Sequence, residues 1–254
     1  MDLGLADRVF VVTGGSRGLG RATAEVLVAE GARVVLAARD AGPLSEAAAA
    51  LGGADRALGV PTDLAQAGAE ERLVAAAVAR FGRLDGALIS TGGPPAGSVM
   101  ETSDGAWHAA FETVFLGPVR VAKAVANAIS DDGGAITFVL SSSAREPISG
   151  LSLSNGLRPG LAGVVKDLSD ELASAGIRVN GLLPGRITTD RTLELDAKAG
   201  RGDSARRRNE SSIPMGRYGD PIEFGTIAAF TLSAAASYVT GALIPIDGGA
   251  RRSL

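Results

Sequence analysis

Four glycines near the start of the chain have the spacing of a phosphate-binding turn. They lie between an apolar run, Val9–Val12, and a helix-like pattern that begins at Arg21, at the following positions: Gly14, Gly15, Gly18 and Gly20. Glycine permits a positive φ and lets a ligand approach the main chain without a Cβ in the way. The free N–H groups at a helix start bind anions such as pyrophosphate. The segment predicts a nucleotide site, and a tight turn without a ligand is the alternative.

Composition limits the other kinds of site. The chain has 254 residues, 46% apolar and 4% aromatic, which fits one α/β domain over residues 1–254 with an aliphatic core. The net charge of −3 gives no electrostatic reason to expect nucleic-acid binding. The chain has no cysteine and only one histidine, His108, which argues against a metal site and thiolate chemistry. We expect His108 to pack on a helix.

No targeting or membrane segment is evident. The N-terminus lacks a basic segment followed by an apolar one. The uncharged stretch 224–246 is broken by polar residues, glycine and proline, and we interpret it as a buried helix, a turn and a strand. A cytoplasmic protein without a membrane partner is therefore expected.

Strand-like apolar runs alternate with helix-like segments along the chain. The predicted strands are 9–12, 34–38, 58–60, 84–89, 135–140, 177–183 and 242–246. Helical spacing covers 44–51, 67–81, 107–129 and 221–234, and another helix carries an apolar face between Leu161 and Leu172. We expect Pro118 to kink the helix over 107–129. The alternation predicts a Rossmann-type doubly wound sheet of about seven parallel strands with helices on both faces.

Ligands of such sheets bind outside the carboxyl ends of the strands. The loops that follow predicted strands contain Gly14–Gly20, Arg39, Asp63, Gly92, Ser141 and Pro184. These loops together predict a dinucleotide site.

Several motifs together resemble the short-chain dehydrogenase/reductase family, and within it the 3-oxoacyl-[acyl-carrier-protein] reductase-like group. The matching segments are Thr13–Gly20 for the TGxxxGxG loop, Asp63 for an adenine-binding aspartate, and Ile177–Asn180, Pro184–Gly185, Thr189–Asp190, Val239–Gly241 and Asp247–Gly249 for the C-terminal half. The resemblance implies homodimers or homotetramers. It also implies that the cofactor is bound by Gly14, Ser16, Arg17, Gly18, Leu19, Gly20, Arg39, Asp63, Gly92, Pro184, Gly185 and Thr189.

Two arginines favour NADP(H) over NAD(H). NAD sites often have an acidic residue at the end of the second strand, to bind the ribose hydroxyls. Here Ala38 holds that position and Arg39 follows it, while Arg17 lies in the glycine turn. Two guanidinium groups could bind a 2′-phosphate through charge-assisted hydrogen bonds. The alternative is that Arg39 pairs with Asp40 or Glu46 at the surface.

The catalytic positions depart from the family pattern of Ser, Tyr, Lys and Asn. The resemblance places Ser141 at the serine, Ser154 at the tyrosine and Arg158 at the lysine, and Val114 takes the asparagine position. A serine hydroxyl is a far weaker acid than a phenol, and arginine keeps its proton. Arg158 could still stabilise a developing alkoxide, with Ser141 and Ser154 orienting the carbonyl.

Two hypotheses follow from these replacements. The first is an atypical NADP(H)-dependent oxidoreductase that reduces a carbonyl, such as a 3-oxoacyl thioester, or oxidises the matching alcohol. The second is a catalytically silent NADP(H)-binding sensor or scaffold. We favour the enzyme.

Three further features bear on the site. Pro159 fits best in the first turn of a helix, so we expect the helix to start late or kink there, which would separate Ser154 from Arg158.

The only tyrosines, Tyr218 and Tyr238, lie far along the chain and are weak candidates for a substitute acid. The polar stretch 188–212 is the expected substrate loop. Its run Arg206–Arg208 is either solvated or contacts a phosphate of acyl-carrier protein or coenzyme A.

Overall fold

Seven parallel strands form one sheet in the order β3-β2-β1-β4-β5-β6-β7, in a computed structural model that describes residues 2–130, 132–198 and 202–252. The strands are β1 Val9–Thr13, β2 Arg33–Ala38, β3 Ala57–Pro61, β4 Gly86–Ile89, β5 Gly134–Val139, β6 Ile177–Pro184 and β7 Leu243–Ile246. The predicted doubly wound α/β fold is confirmed. The order reverses between β1 and β4, which places the expected ligand crevice beyond their carboxyl ends.

Helices cover both faces of the sheet. They are α1 Gly18–Ala29, α2 Ala41–Ala50, α3 Ala69–Phe81, α4 Asp104–Ala110, α5 Gly117–Ala128, α6 Ser152–Leu172, α7 Asp190–Lys198, α8 Gly202–Ser211 and α9 Pro221–Leu232. One buried cluster joins α1, α2 and α9 to the sheet, and a second joins α3, α5 and α6 to its other face. All five residues of β1 are buried, which explains why this strand is a continuous apolar run.

The long helix expected over 107–129 is interrupted before Pro118. A π-helical segment, Phe111–Leu116, joins α4 to α5, and Pro118 is the second residue of α5. Proline has no N–H for the helix ladder, and a wider turn accommodates the lost bond. The predicted irregularity therefore takes the form of a π segment.

The helix that carries Ser154 and Arg158 does not start late. Its first residue is Ser152, and Pro159 lies inside it, so the expectation of a late start at Pro159 is wrong. Tertiary contacts hold the first turn. The side chain of Asn155 accepts from the Ile148 N–H at 2.9 Å and donates to the Ile148 carbonyl at 2.8 Å. Ser154 and Arg158 are both buried on this helix.

The polar stretch 188–212 contains two helices, α7 and α8. A buried carboxylate ties them to the rest of the fold. Asp196 accepts hydrogen bonds from Tyr218 at 2.9 Å, from Asn209 at 3.1 Å and from Arg186 at 3.0 Å. Asp196 is the one buried side chain among the described side chains of these two helices. Among the described residues, no helix is both long and apolar enough to cross a membrane.

Candidate nucleotide-binding and active site

The glycine turn has the conformation that its residues predict. Gly14 and Gly18 have φ values of 62° and 57°, in the left-handed region that favours glycine. A Cβ on Gly20 would collide with the carbonyl oxygen of Gly14. Helix α1 begins at Gly18, and the preceding residue, Arg17, makes no side-chain cap. The first N–H groups of α1 are thus left for another acceptor.

Two arginines flank this turn without a protein partner. Arg17 and Arg39 are both exposed. Neither side chain forms an ion pair or hydrogen bond with the residues in 2–130, 132–198 and 202–252, so the alternative pairing of Arg39 with Asp40 or Glu46 is not observed. Arg39 directly follows β2, beside the expected adenosine side of the crevice. Both cations are free to bind an anionic ligand.

Two further predicted cofactor residues border the crevice after β3 and β4. Asp63 lies just beyond β3, and its Oδ1 accepts from the Ala65 N–H at 3.0 Å, which fixes the turn. Gly92 follows β4 and is exposed, and a Cβ added there would meet no atom within 4 Å. This part of the β4 loop is open.

The loop after β6 closes onto the glycine turn. The Gly185 N–H donates to the Ile246 carbonyl at 2.9 Å, and a Cβ on Gly185 would overlap Asp247. Thr189 reaches the turn itself: its methyl group is 3.7 Å from the position that a Cβ on Gly18 would occupy. The N- and C-terminal halves of the predicted cofactor site therefore meet.

An arginine crosses the crevice from α7 to the β4 loop. The guanidinium of Arg191 donates to the carbonyl of Pro94 at 2.7 Å. A Cβ on Gly93 would lie 3.0 Å from the Arg191 Nε. This contact brings the stretch predicted to bind substrate against the loop that follows the central strand.

Three serine hydroxyls form a chain at the end of β5. The Ser143 hydroxyl donates to the Ser141 Oγ at 3.0 Å and lies 2.8 Å from the Ser154 Oγ. Ser143 and Ser154 are buried, whereas Ser141 is half-buried. The structure thus brings Ser141 and Ser154 together through a residue that the sequence analysis missed. The run of three serines, 141–143, was the only signal for Ser143.

Arg158 lies beneath the same loop with its charge buried. Its guanidinium donates to the Val139 carbonyl at 2.8 Å and to the Thr91 hydroxyl at 3.2 Å, at the ends of β5 and β4. Its side chain is 3% exposed, and its Nε has no hydrogen-bond partner. Burial lowers the pKa of Arg158 to about 10. Arg158 has no ion pair among the described residues, so its charge lies at the ends of β4 and β5 without a counter-charge.

Neither tyrosine reaches the serine chain. Tyr218 is buried, donates to Asp196 and accepts from Asn209, and the guanidinium groups of Arg186 and Arg206 lie 5.8 and 5.0 Å from its ring centre. Burial and the bond to Asp196 raise the pKa of Tyr218, although the hydrogen bond from Asn209 opposes them. Tyr238 lines a groove at the amino ends of the strands.

The three arginines of the run in α8 differ in their surroundings. Arg206 pairs with Glu210 at 2.8 Å. Arg207 and Arg208 are exposed.

Comparison with known proteins decides the family. The model of the enoyl-(acyl carrier protein) reductase family matches residues 14–251. L-rhamnose 1-dehydrogenase (NAD(P)(+)) of Azotobacter vinelandii is 35% identical over 257 residues, covering 96% of this chain and 97% of that protein. The chain belongs to the short-chain dehydrogenase/reductase family. A 3-oxoacyl-[acyl-carrier-protein] reductase of Synechocystis is 31% identical over 252 residues, covering 96% of this chain and 97% of that protein.

Solved structures of this family share the fold over the whole chain. L-sorbose reductase of Gluconobacter frateurii, complexed with NADPH and L-sorbose, superposes with a TM-score of 0.93 at 31% identity, covering 100% of both chains. A short-chain dehydrogenase/reductase of Brucella melitensis gives a TM-score of 0.92 at 32% identity, again covering 100% of both. The relatives thus include NAD(P)-dependent oxidoreductases that act on small alcohols or carbonyl compounds.

Proposed function

We propose that this short-chain dehydrogenase/reductase is an atypical NADP(H)-dependent oxidoreductase that reduces the carbonyl group of a small molecule. The observation that carries the proposal is the set of unpaired cations around the crevice. Arg17 and Arg39 lie at its nucleotide end and Arg158 lies at its floor. These charges match the phosphate of the cofactor and the negative charge that develops on a reacting oxygen.

The cofactor choice rests on the two exposed arginines. A 2′-phosphate would accept charge-assisted hydrogen bonds from Arg17 and Arg39, whereas a ribose hydroxyl would leave both without an anion. The turn from Gly14 to Gly20 would hold the pyrophosphate, with Ser16 and Leu19 contributing to its lining. Asp63 and Gly92 would border the adenosine half, and Pro184, Gly185 and Thr189 the nicotinamide half.

The chain's own residues bind and polarise the substrate carbonyl. A bound NADPH supplies the hydride. Ser141, at the half-exposed end of the serine chain, donates a hydrogen bond to the carbonyl oxygen. Arg158, which is buried, stabilises the negative charge that develops on this oxygen. Ser154, which is buried, anchors the serine chain. The proton comes from water, because no phenol lies near these residues.

Two substrate classes are compatible with this arrangement. The sugar-specific relatives favour a hydroxyketone such as a ketose. A 3-oxoacyl thioester is the alternative, in which Arg207 and Arg208 would contact the phosphate of coenzyme A or of acyl-carrier protein. We also propose a cytoplasmic homodimer or homotetramer, as the family resemblance implies.

The first experiment measures cofactor binding. NADPH and NADH are titrated into the protein, with nicotinamide fluorescence as the signal. NADPH should bind at least tenfold more tightly. The double variant Arg17→Ala/Arg39→Ala should lose this preference. Arg72→Ala, which removes another exposed arginine on α3, should keep it. Equal affinities for the two cofactors in the unaltered protein would refute the assignment.

The second experiment separates the enzyme from a silent sensor. NADPH oxidation is followed with L-sorbose and acetoacetyl-coenzyme A, and NADP⁺ reduction with L-rhamnose. Turnover of any of these compounds supports the oxidoreductase and identifies its class. Tight NADPH binding without turnover across the panel would favour the sensor or scaffold, which the replaced Tyr and Lys positions make the second candidate.

A further inference from the structure

The hydrogen bonds of the serine chain have a direction. The Ser143 N–H donates to the Ser141 Oγ at 3.1 Å, and the Ser143 hydroxyl donates to the same oxygen at 3.0 Å. A hydroxyl oxygen accepts at most two hydrogen bonds and has one proton to donate. Both acceptor positions of Ser141 are therefore filled by Ser143.

The remaining protons can be assigned from this arrangement. Since Ser143 gives its only hydroxyl proton to Ser141, the 2.8 Å contact between Ser143 and Ser154 requires Ser154 to be the donor. The protons of Ser143 and Ser154 are both engaged in the buried chain. The proton of Ser141 is the only one of the three without a partner in the chain, and Ser141 is the only one of the three side chains that is not buried.

We propose that Ser143 is a positioning residue that makes Ser141 a hydrogen-bond donor toward the reacting carbonyl oxygen. This inference rests on the proposed function, which gives Ser141 that oxygen as its acceptor. Ser143 contacts neither substrate nor cofactor. It acts by filling the acceptor positions of Ser141, so that Ser141 can meet a ligand only with its proton. Ser154 completes the arrangement by filling an acceptor position of Ser143.

The kinetic test compares neighbouring serines of the same loop. Ser143→Ala keeps the backbone N–H bond to Ser141 but removes the hydroxyl bond, which opens one acceptor position of Ser141. It should lower kcat for carbonyl reduction about tenfold, the effect of one hydrogen bond. NADPH affinity should stay unchanged. Ser142→Ala is the matched control, because its hydroxyl has no hydrogen bond with the described residues, and it should keep the full kcat. If Ser143→Ala fails to fold, Ser143→Cys replaces it, since a thiol has a similar size but is a weak donor.

The double variant Ser141→Ala/Ser143→Ala distinguishes positioning from an independent role. If Ser143 acts through Ser141, the double variant should be no slower than Ser141→Ala alone. Losses that multiply in the double variant would overturn the proposal, as would an unchanged kcat in Ser143→Ala.

A crystallographic readout keeps this inference separate from the proposed function. The Ser141 side chain should have one rotamer in the unaltered protein and several, or a different one, in Ser143→Ala. The same single rotamer in both would overturn the positioning role even if the enzyme is active. Absence of turnover with a changed rotamer would instead remove the proposed function and leave the effect of Ser143 on Ser141 in place.

Discussion

Two groups of arginines at opposite ends of the parallel sheet are held in opposite ways. At the amino end, Arg8 and Arg83 both pair with the buried carboxylate of Asp85, at 2.7 and 2.6 Å, and Arg33 pairs with Asp7 at 2.8 Å. At the carboxyl end, Arg17, Arg39 and Arg158 have no ion pair among the described residues. Paired charge stabilises the fold, whereas unpaired charge leaves an electrostatic interaction available to a ligand.

The contrast is sharpest between the two buried charges. Asp85 is 4% exposed, and it accepts from Arg83, from Arg8 and from the Val9 N–H. Burial raises the pKa of Asp85, but these hydrogen bonds outweigh burial and the pKa is lowered. Arg158 is buried to a similar extent with neutral acceptors only and an unpartnered Nε. The charge of Asp85 is therefore neutralised within the fold, whereas the charge of Arg158 is not.

The largest expected effect is on activity at the carboxyl end. Arg158→Met should lower kcat by about 10²- to 10³-fold, because it removes the charge that stabilises the developing oxyanion. Its free energy of unfolding should be unchanged or higher, since a buried cation without a counter-charge is unfavourable. Steady-state kinetics and urea unfolding measure the two quantities.

A half-buried arginine at the amino end provides the control. Arg178 keeps partial contact with solvent and donates to the carbonyls of Thr231 and Ser233, each at 2.8 Å, so Arg178→Met should lose stability and keep kcat. If Arg158→Met were destabilised like Arg178→Met and retained its activity, the distinction between the two ends would fail.

The next effect is on stability at the amino end. Asp85→Asn should destabilise the fold by about 2–3 kcal/mol, because Arg8 and Arg83 lose their anion and the Val9 N–H loses a strong acceptor. The effect stays below that of a fully buried pair, since both arginines are partly exposed. NADPH affinity and kcat should not change. A variant with full stability and weaker NADPH binding would contradict the assignment of this cluster to the fold.

Smaller effects on NADPH affinity and on stability are expected for arginines at the two ends of strand β2. Arg33 begins β2 and Arg39 follows it. Arg39→Ala should weaken NADPH binding about tenfold and leave NADH binding and stability unchanged. Arg33→Ala removes a largely exposed ion pair and should cost less than about 1 kcal/mol of stability, with no change in cofactor affinity. Fluorescence titration and urea unfolding of both variants test this, and equal NADPH affinities would count against the nucleotide role of Arg39.

The smallest effect is a pH dependence. Because the pKa of Asp85 is lowered in the folded state, its contribution to stability is complete above the unfolded value of about 4 and is lost as the pH falls through the folded value. The difference in unfolding free energy between the unaltered protein and Asp85→Asn should be constant from about pH 5 to 8 and shrink below about pH 4. Urea unfolding at each pH gives this difference, and a constant difference down to pH 2.5 would contradict it.

The sequence analysis predicted the sheet because its signals are local. The apolar run at Val9–Val12 and the glycines after it depend only on burial and backbone conformation, and β1 and the start of α1 lie where the run and the glycines indicate. The prediction of a late helix start at Pro159 was wrong, because a rule based on local sequence was applied to a helical turn that tertiary contacts hold. The bonds between Asn155 and Ile148 keep that turn helical ahead of the proline.

The sequence by itself determined the alternation of strands and helices and the glycine turn. These follow from residue type and spacing along the chain. Only the tertiary structure decided that Arg39 is unpaired, that Ser143 joins Ser141 to Ser154, and that Arg158 lacks a counter-charge while Asp85 has two. Such contacts join residues as far apart as Arg158 and Thr91, and no sequence pattern encodes which side chains meet across a folded sheet.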